Sequence, residues 1–235
     1  MGSMLLRPIY AFQKNKLINA QIKDDKKTTT INYSANNHGT RNYSYSITTI
    51  MNYLVTGLIC SGKSTFLDIA RKHNFEVIKS DDIVASLYNE PSTVEKIKHY
   101  LNINISHNNL KDYVKEFFFK SKKNREIIEA IFHPTVHEII LNEFQSKSNL
   151  MVEVPPIINN YGLFKEYSSI YIDTKEEMRI ERFSKHKIND KDYFIKMNAI
   201  QNEYELIKDS CEIIINNNND IDSLGRYFDR TIIAS

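Results

Sequence analysis

Marked for its apolar positions, the chain falls into short continuous apolar runs separated by longer stretches in which apolar residues recur every three or four positions. Five runs stand out: YLVTG (53–57), FEVIKS (75–80), LMVEVP (150–155), SIYID (169–173) and CEIII (211–215). A strand buried on both faces has this nearly unbroken apolar character, and strands alternating with helix-length segments indicate a parallel sheet flanked by helices. The pattern predicts an α/β fold with a five-stranded parallel sheet.

Roughly seventy residues separate the second and third runs, far more than a single crossover helix needs. A helical insert is expected there. Ser92-Thr93-Val94-Glu95 has the form of a capping box, with Val94, Ile97 and Leu101 on one helical face. Leu110, Val114, Phe117 and Phe118 repeat that spacing, and Pro134 is expected in the first turn of a further helix bearing Val136, Ile140 and Phe144. The cluster Phe117-Phe118-Phe119 is expected to pack as core. From Lys175 to Lys208 the chain turns polar and helical, with Arg179, Arg182, Lys185, His186 and Lys187 in its first half, where a mobile flap is expected. NNNND (216–220) predicts a turn leaving the last strand.

Composition narrows the class. The chain has 235 residues, 41% of them apolar, and no apolar run near the length that crosses a bilayer. Two cysteines, Cys60 and Cys211, are too few for a disulfide framework, so a reducing, cytoplasmic setting is expected. Residues 1–50 hold seven Lys/Arg against Asp24 and Asp25, so of the formal +2 charge the first fifty carry +5 and the remainder −3. A mildly acidic body argues against nucleic-acid binding. The polar, basic first fifty residues suggest a disordered extension, with Met1-Gly2-Ser3 resembling a cloning remnant and Met51 a start of the body.

Candidate chemistry begins at Gly57-Leu58-Ile59-Cys60-Ser61-Gly62-Lys63-Ser64, which has the glycine, any four, glycine, lysine, serine spacing of a phosphate-binding loop. It follows a strand-like run and opens a helix-like one, STFLDIARKH, so backbone N–H groups through Thr65 would converge on an anion. Gly57 permits the tight turn, Gly62 admits a phosphate close to the backbone, Lys63 neutralises β- and γ-phosphates, and the Ser64 hydroxyl suits Mg²⁺. Asp81 ends the second run at the carboxyl edge, where such sheets bind ligands. It suits either a general base for a hydroxyl or the N-cap of the helix beginning DIVASLY. Glu153 is an acid inside an apolar strand, so it calls for a cation, either Mg²⁺ or a lysine. Arg179 and Arg182 share a helical face that could close over a polyphosphate or simply be solvated.

The order of these motifs from Met51 to about Phe228 resembles dephospho-coenzyme A kinase. The resemblance rests on the loop, on VIKSDDIVASLY, on the His-Pro pair in IFHPTVHE, on VEVPPII, on RIERF with Gln201, and on IIINN. It implies a nucleotide-binding core over 51–91, 146–174 and 209–235, a helical acceptor domain over 92–145 and a lid over 175–208. It further implies ATP with Mg²⁺ as phosphoryl donor and the ribose 3′-hydroxyl of dephospho-coenzyme A as acceptor, in a monomer or weak homo-oligomer. Asp81 then takes the place of the catalytic base, Arg182 of the lid arginine that reaches ATP, and His133 falls on the acceptor side, where it also suits a helix cap. Cys60 is expected as a small filler rather than a redox switch. The chain departs from the family at Leu58 and Cys60, where glycines are usual, and at Lys79, Ala85, Glu153, Pro156, Asn159 or Asn160, and Arg179. Two rivals stand beside this reading: a nucleoside or nucleotide monophosphate kinase, and a nucleotide-binding protein without catalysis.

Overall fold

The computed structural model describes residues 18–24, 27–35, 43–156, 167–185, 190–204 and 206–234. The chain divides into two units, 1–50 and 51–235.

In the first unit, β1 (Ile18–Asp24), β2 (Lys27–Ala35) and β3 (Tyr43–Ile50) pair in sequence as an antiparallel meander. These strands stand where a disordered extension was expected. Their sequences explain the difference: KTTTINYSA and YSYSITTI are rich in β-branched and aromatic residues, which favour extended backbone whatever the net charge.

The second unit is built on β4 (Tyr53–Thr56), β5 (Glu76–Lys79), β6 (Leu150–Glu153), β7 (Ser168–Asp173) and β8 (Ile213–Asn216). All pair in parallel, in the spatial order β5-β6-β4-β7-β8. This is the expected five-stranded parallel sheet. Side chains alternate between two cores, as a strand's period of two requires. Tyr53, Val55, Met151, Ile170 and Ile172 pack with Phe66 and Leu67 of α1 (Lys63–Lys72) and Leu224 and Phe228 of the last helix. Leu54, Leu150 and Val152 point the other way, toward Ile97, Leu110, Val114, Phe132, Val136 and Ile140 of the insert. Burying each such side chain stabilises the fold by about 1.5–3 kcal/mol.

The remaining helices are α2 (Ser80–Leu87), α3 (Pro91–Leu101), α4 (His107–Lys120), α5 (Lys122–Ser146), α6 (Glu176–Ser184), α7 (Lys191–Asn202), α8 (Ile207–Ser210) and α9 (Ile221–Phe228), followed by a wider turn over Asp229–Ile233. Two boundaries differ from expectation. Helix α3 starts at Pro91 behind Glu90 rather than at a Ser92 cap, because proline's fixed φ already suits the first helical position. Pro134 lies inside the 25-residue α5 and starts nothing. The missing N–H removes one turn bond, yet Ile128, Phe132, Val136 and Ile140 form one buried stripe across the proline and hold the helix continuous. Ser121 begins α5 by accepting a hydrogen bond from the Asn124 N–H.

Among the described residues no helix is long and apolar enough to cross a membrane.

Candidate active site

Strand order decides which residues meet. In β5-β6-β4 the Cα atoms of Lys79, Glu153 and Val55 lie in register, so the three strands end together. Their continuations, Asp81 after β5 and Gly57 after β4, therefore emerge at one carboxyl edge on either side of Glu153. On the far side, β7 leads into Thr174 and β8 into Asn217 at the same edge.

The loop from Gly57 to Thr65 is held by local backbone geometry. Gly57 has φ +148, and a Cβ there would stand 2.5 Å from the Ile172 carbonyl oxygen. Gly62 has φ +100, and its Cβ would collide with the Asn217 side chain. Glycine is thus required at both ends of the loop. The Ser61 N–H donates to the Leu58 carbonyl at 3.1 Å, and the Phe66 N–H to the Gly62 carbonyl at 3.0 Å, which starts α1. Cys60 has φ 60, the left-handed region that favours glycine. That is one of the two positions where the family usually has glycine. Burial pushes the Cys60 thiol up, against the opposing pull of Lys63, Arg179 and Arg182. A thiol held up in this way is a poor nucleophile, which favours the filler role.

Lys63 curls back over the loop. Its Nζ donates to the carbonyls of Gly57 (2.9 Å) and Leu58 (3.2 Å) and stands 3.9 Å from Glu153 Oε1. Burial pulls the Lys63 ammonium down, while Glu153 and then Asp81 support it. Burial likewise pushes the Glu153 carboxyl up, offset in part by Lys63 and Lys79. The lysine foreseen as one partner of Glu153 is therefore Lys63 itself.

Polar side chains brace the loop from the β7 and β8 ends. Thr174 Oγ1 and Asn217 Nδ2 both donate to the Ser61 carbonyl at 2.8 Å. Arg182 on α6 reaches the Ser61 and Asn217 carbonyls at 3.2 and 2.9 Å. From α7, Gln201 accepts a hydrogen bond from the Ile59 N–H. Arg179 behaves unlike the phosphate-facing arginine its spacing suggested. It is buried and donates to Asn198 Oδ1 at 2.6 Å, to the Thr174 carbonyl at 3.2 Å and to the Ile59 carbonyl at 3.4 Å. Three residues along a helix turn about 300°, enough to send Arg179 inward while Arg182 stays at the rim. Lys185 lies exposed and pairs with Glu181 at 2.7 Å, and His186 is outside the described residues.

Two cavities open at this edge. The smaller, about 500 Å³, is lined by the loop from Cys60 to Thr65 together with Arg182, Lys185 and Asn217. The larger, about 520 Å³, lies between α2, α4, α5 and α7, with Asp81, Tyr88, Phe118, Phe132 and His133 in its wall. Asp81 joins them. It borders the larger cavity, and its charge acts on Lys63 in the smaller one and on Glu153 between them. Asp81 sits in the first turn of α2, whose N-cap is Lys79 with no side-chain cap bond, so the capping reading falls.

His133 lies in the middle of α5, which rules out the capping role considered for it. Its ring stacks parallel to that of His137, with centroids 6.1 Å apart. Burial, reinforced by His137, pulls His133 down to about 4, so its imidazole is neutral at pH 7. Phe117 and Phe118 pack half-buried against the core, as expected, while Phe118 also lines the larger cavity and Phe119 faces it without joining that core; Phe119 meets Tyr193 of α7 edge-on at 5.9 Å. Tyr193, with Lys115 Nζ 5.2 Å above its ring, and Glu129 also line this cavity and carried no sequence signal.

The oxygen donors available for Mg²⁺ are the exposed Ser64 hydroxyl, which lines the smaller cavity, and the Glu153 carboxylate at the sheet edge. Hard oxygen donors, few in number, suit a cation that keeps water and substrate phosphates as its other ligands. The residues present fit the ion.

Comparison with known proteins agrees with this architecture. The dephospho-CoA kinase family model matches residues 53–223. A dephospho-CoA kinase of Campylobacter jejuni is 30% identical over 142 residues, which is 55% of this chain and 69% of the relative. That of Helicobacter hepaticus is 28% identical over 182 residues, 72% of this chain and 86% of the relative. Among solved structures, TT1252 from Thermus thermophilus superposes with a TM-score of 0.65 at 18% identity, covering 79% of this chain and 97% of its own. A Campylobacter jejuni dephospho-CoA kinase gives 0.57 at 22% identity, covering 77% and 95%. These two likenesses speak for the fold, whereas the family match over residues 53–223 spans the loop, Asp81, the His-Pro pair, α6 and α7. The chain belongs to the dephospho-CoA kinase family.

Proposed function

We propose that this chain transfers the γ-phosphoryl group of ATP to the ribose 3′-hydroxyl of dephospho-CoA. One observation carries the reading beyond family membership: Asp81 borders the larger, mostly apolar cavity while its charge acts on Lys63 of the loop that lines the smaller one. A carboxylate between a phosphate cradle and an organic pocket is suited to deprotonating a hydroxyl beside a triphosphate.

The smaller cavity takes ATP, with the amides of Cys60 and of Gly62 to Thr65 and the head of α1 around its phosphates. Lys63 leaves its loop carbonyls for the phosphate oxygens, which offer a charged acceptor in place of neutral ones. Arg182 adds positive charge from the lid side. The larger cavity takes the acceptor, and the neutral imidazole of His133 supplies one donor or acceptor there. Asp81 receives the proton of the 3′-hydroxyl as that oxygen bonds to the γ-phosphorus. The bond from γ-phosphorus to the bridging oxygen breaks, and ADP leaves through the smaller cavity. Mg²⁺, held through Ser64 and Glu153, supplies charge neutralisation on the phosphates. Residues 92–145 act as the acceptor domain and 175–208 as the lid, in an enzyme of the cytoplasm.

A coupled assay of ADP formation with dephospho-CoA and a panel of nucleosides and nucleoside monophosphates tests the proposal. Release of ADP dependent on dephospho-CoA is expected. Faster turnover with a nucleoside or its monophosphate would reassign the acceptor, and no stimulated release by any of them would make the chain a binding protein only.

A further inference from the structure

Glu129 is an acid that the mechanism above does not use. It lies on α5 one turn before His133, it lines the larger cavity, and it is only 9% exposed. Its Oε1 is buried with no hydrogen-bond partner. An unpartnered buried carboxyl oxygen is costly, so it calls for a partner, which a bound ligand can supply. The neighbouring cation, Arg125, makes no hydrogen bond to it, although its Nε is likewise buried without a partner. Arg125, one turn earlier on α5, directs its guanidinium to Glu203 Oε1 at 3.0 Å, and Lys122 lies 3.6 Å from the same carboxylate.

The walls beside Glu129 are flat and apolar. Phe132 packs against Tyr88 with ring centroids 5.2 Å apart, and Phe118 and Val136 line the same space. A planar, aromatic group fits between such walls. Under the proposed function, the ribose hydroxyl lies at Asp81, so the base attached to that ribose falls within this cavity. A neutral carboxyl presents one O–H donor beside one C=O acceptor, the same paired pattern with which an amide side chain reads an adenine edge.

We infer that Glu129 is an acceptor-binding residue, whose carboxyl in its neutral form hydrogen-bonds the amino-bearing edge of the purine of dephospho-CoA. The inference rests on the proposed function and adds to it the group that reads the base. The protonation state follows from the surroundings. Burial pushes Glu129 up to about 7, with Arg125 opposing and Glu126 and Glu203 reinforcing. Tyr204 also faces it from the chain after α7, and itself feels the charge of Glu129. His133 lies one turn along α5, and across the cavity stand Asp81, Tyr88 and Tyr193, and Lys111, Asp112 and Lys115 of α4. The neutral acid prevails below about pH 7 and gives way to the carboxylate above it, which keeps an acceptor but loses its donor.

The test compares wild type, Glu129→Gln and Glu129→Ala, measuring KM for dephospho-CoA and for ATP and kcat from pH 6 to 8. At pH 6, Glu129→Ala is expected to raise the dephospho-CoA KM about tenfold, the worth of one unmade hydrogen-bonded pair. The ATP KM and kcat should move far less. Glu129→Gln keeps both donor and acceptor and should restore the wild-type value. Wild type should lose acceptor affinity as pH rises through 7, whereas Glu129→Gln should hold its affinity flat. A dephospho-CoA whose base carries an N6,N6-dimethylamino group should bind wild type about tenfold less well and lose little further in Glu129→Ala.

An acceptor KM within twofold of wild type in Glu129→Ala, or equal pH profiles for wild type and Glu129→Gln, would overturn the role of Glu129. Full and additive losses from the alanine variant and the dimethylated base would overturn the base contact. A wild-type enzyme inert toward dephospho-CoA would instead overturn the function on which the inference rests, so the two failures are separable.

Discussion

The two cavities at the sheet edge are nearly equal in volume and opposite in construction. The smaller is made of backbone: a loop of nine residues, two glycines at positive φ, and side chains from the ends of β7 and β8 and from α6 that grip its carbonyls. The larger is made of side chains from four helices, and among its polar groups Asp81, Glu129 and His133 stand beside a mostly apolar wall, with Lys111, Asp112 and Lys115 of α4 facing them. A cradle of amides recognises a phosphate tail and little else, so the smaller cavity explains why many enzymes can share it. Substrate identity has to be sought in the larger one, where single side chains decide what fits.

Substitutions can break this contrast, and the largest effect is expected at Lys63. Lys63→Ala removes a charge from the phosphate site and two tethers within the loop, so ATP affinity should fall at least tenfold and the transfer rate by about 10²–10³. Calorimetric titration with a non-hydrolysable ATP analogue, beside steady-state rates, checks both. Unchanged ATP affinity would contradict the cradle.

Next comes Arg179, which belongs to the scaffold of the smaller cavity. Arg179→Ala leaves the Asn198 side chain and the Thr174 and Ile59 carbonyls without their donor. A loss of about 3 kcal/mol in unfolding free energy is expected, read by denaturant titration. Ligand saturation should recover part of it, because ATP binds only the ordered loop.

A pH-dependent effect of similar or smaller size belongs to the larger cavity. The folded pKa of Glu129 is raised from an ordinary 4.5 to about 7, so the folded state holds a proton that the unfolded state releases. The stability linked to that proton is fully present below pH 4.5 and is lost as pH rises through 7. Glu129→Gln has no such proton. Its stability relative to wild type should therefore improve between pH 5 and 8, by at most about 3 kcal/mol. Melting curves across that range suffice, and parallel curves would show that Glu129 has a partner in the folded state.

The smallest effect is expected at Cys60. Replacing it with glycine relieves the left-handed backbone but adds freedom to the unfolded chain, so the two terms nearly offset and leave a change within about 1 kcal/mol. ATP affinity should hold or improve. A large loss would mean that the thiol does more than fill space.

The same contrast explains what the sequence could reveal. The smaller cavity was legible because its chemistry is local: strand, glycine turn and helix start follow one another, and the spacing of Gly57, Gly62 and Lys63 is itself the geometry. The five strands were legible for a similar reason, since burial on both faces leaves an unbroken apolar run. The larger cavity was not. Phe119 stands in a run that reads as core, and only the packing of α4 against α7 shows that it faces a cavity, which Phe118 lines as well while packing on the core. Glu129 reads as one more surface acid until α5 is docked. The helix start assigned to Pro134 failed because a local backbone rule was outweighed by a buried stripe on both sides of it. Arg179 and Arg182 could not be told apart by spacing, because the docking of α6 on the loop decides which one turns inward.

Under the proposed function Asp81 makes the two cavities one site, and a single-turnover measurement on Asp81→Asn tests that directly. With ATP and dephospho-CoA both saturating, the variant should bind ATP as wild type does while phosphoryl transfer falls by about 10²–10⁴, the usual contribution of a positioned base. Transfer within tenfold of the wild-type rate, with ATP bound normally, would mean that the proton of the acceptor hydroxyl goes elsewhere and that Asp81 does not join the two halves of the chemistry.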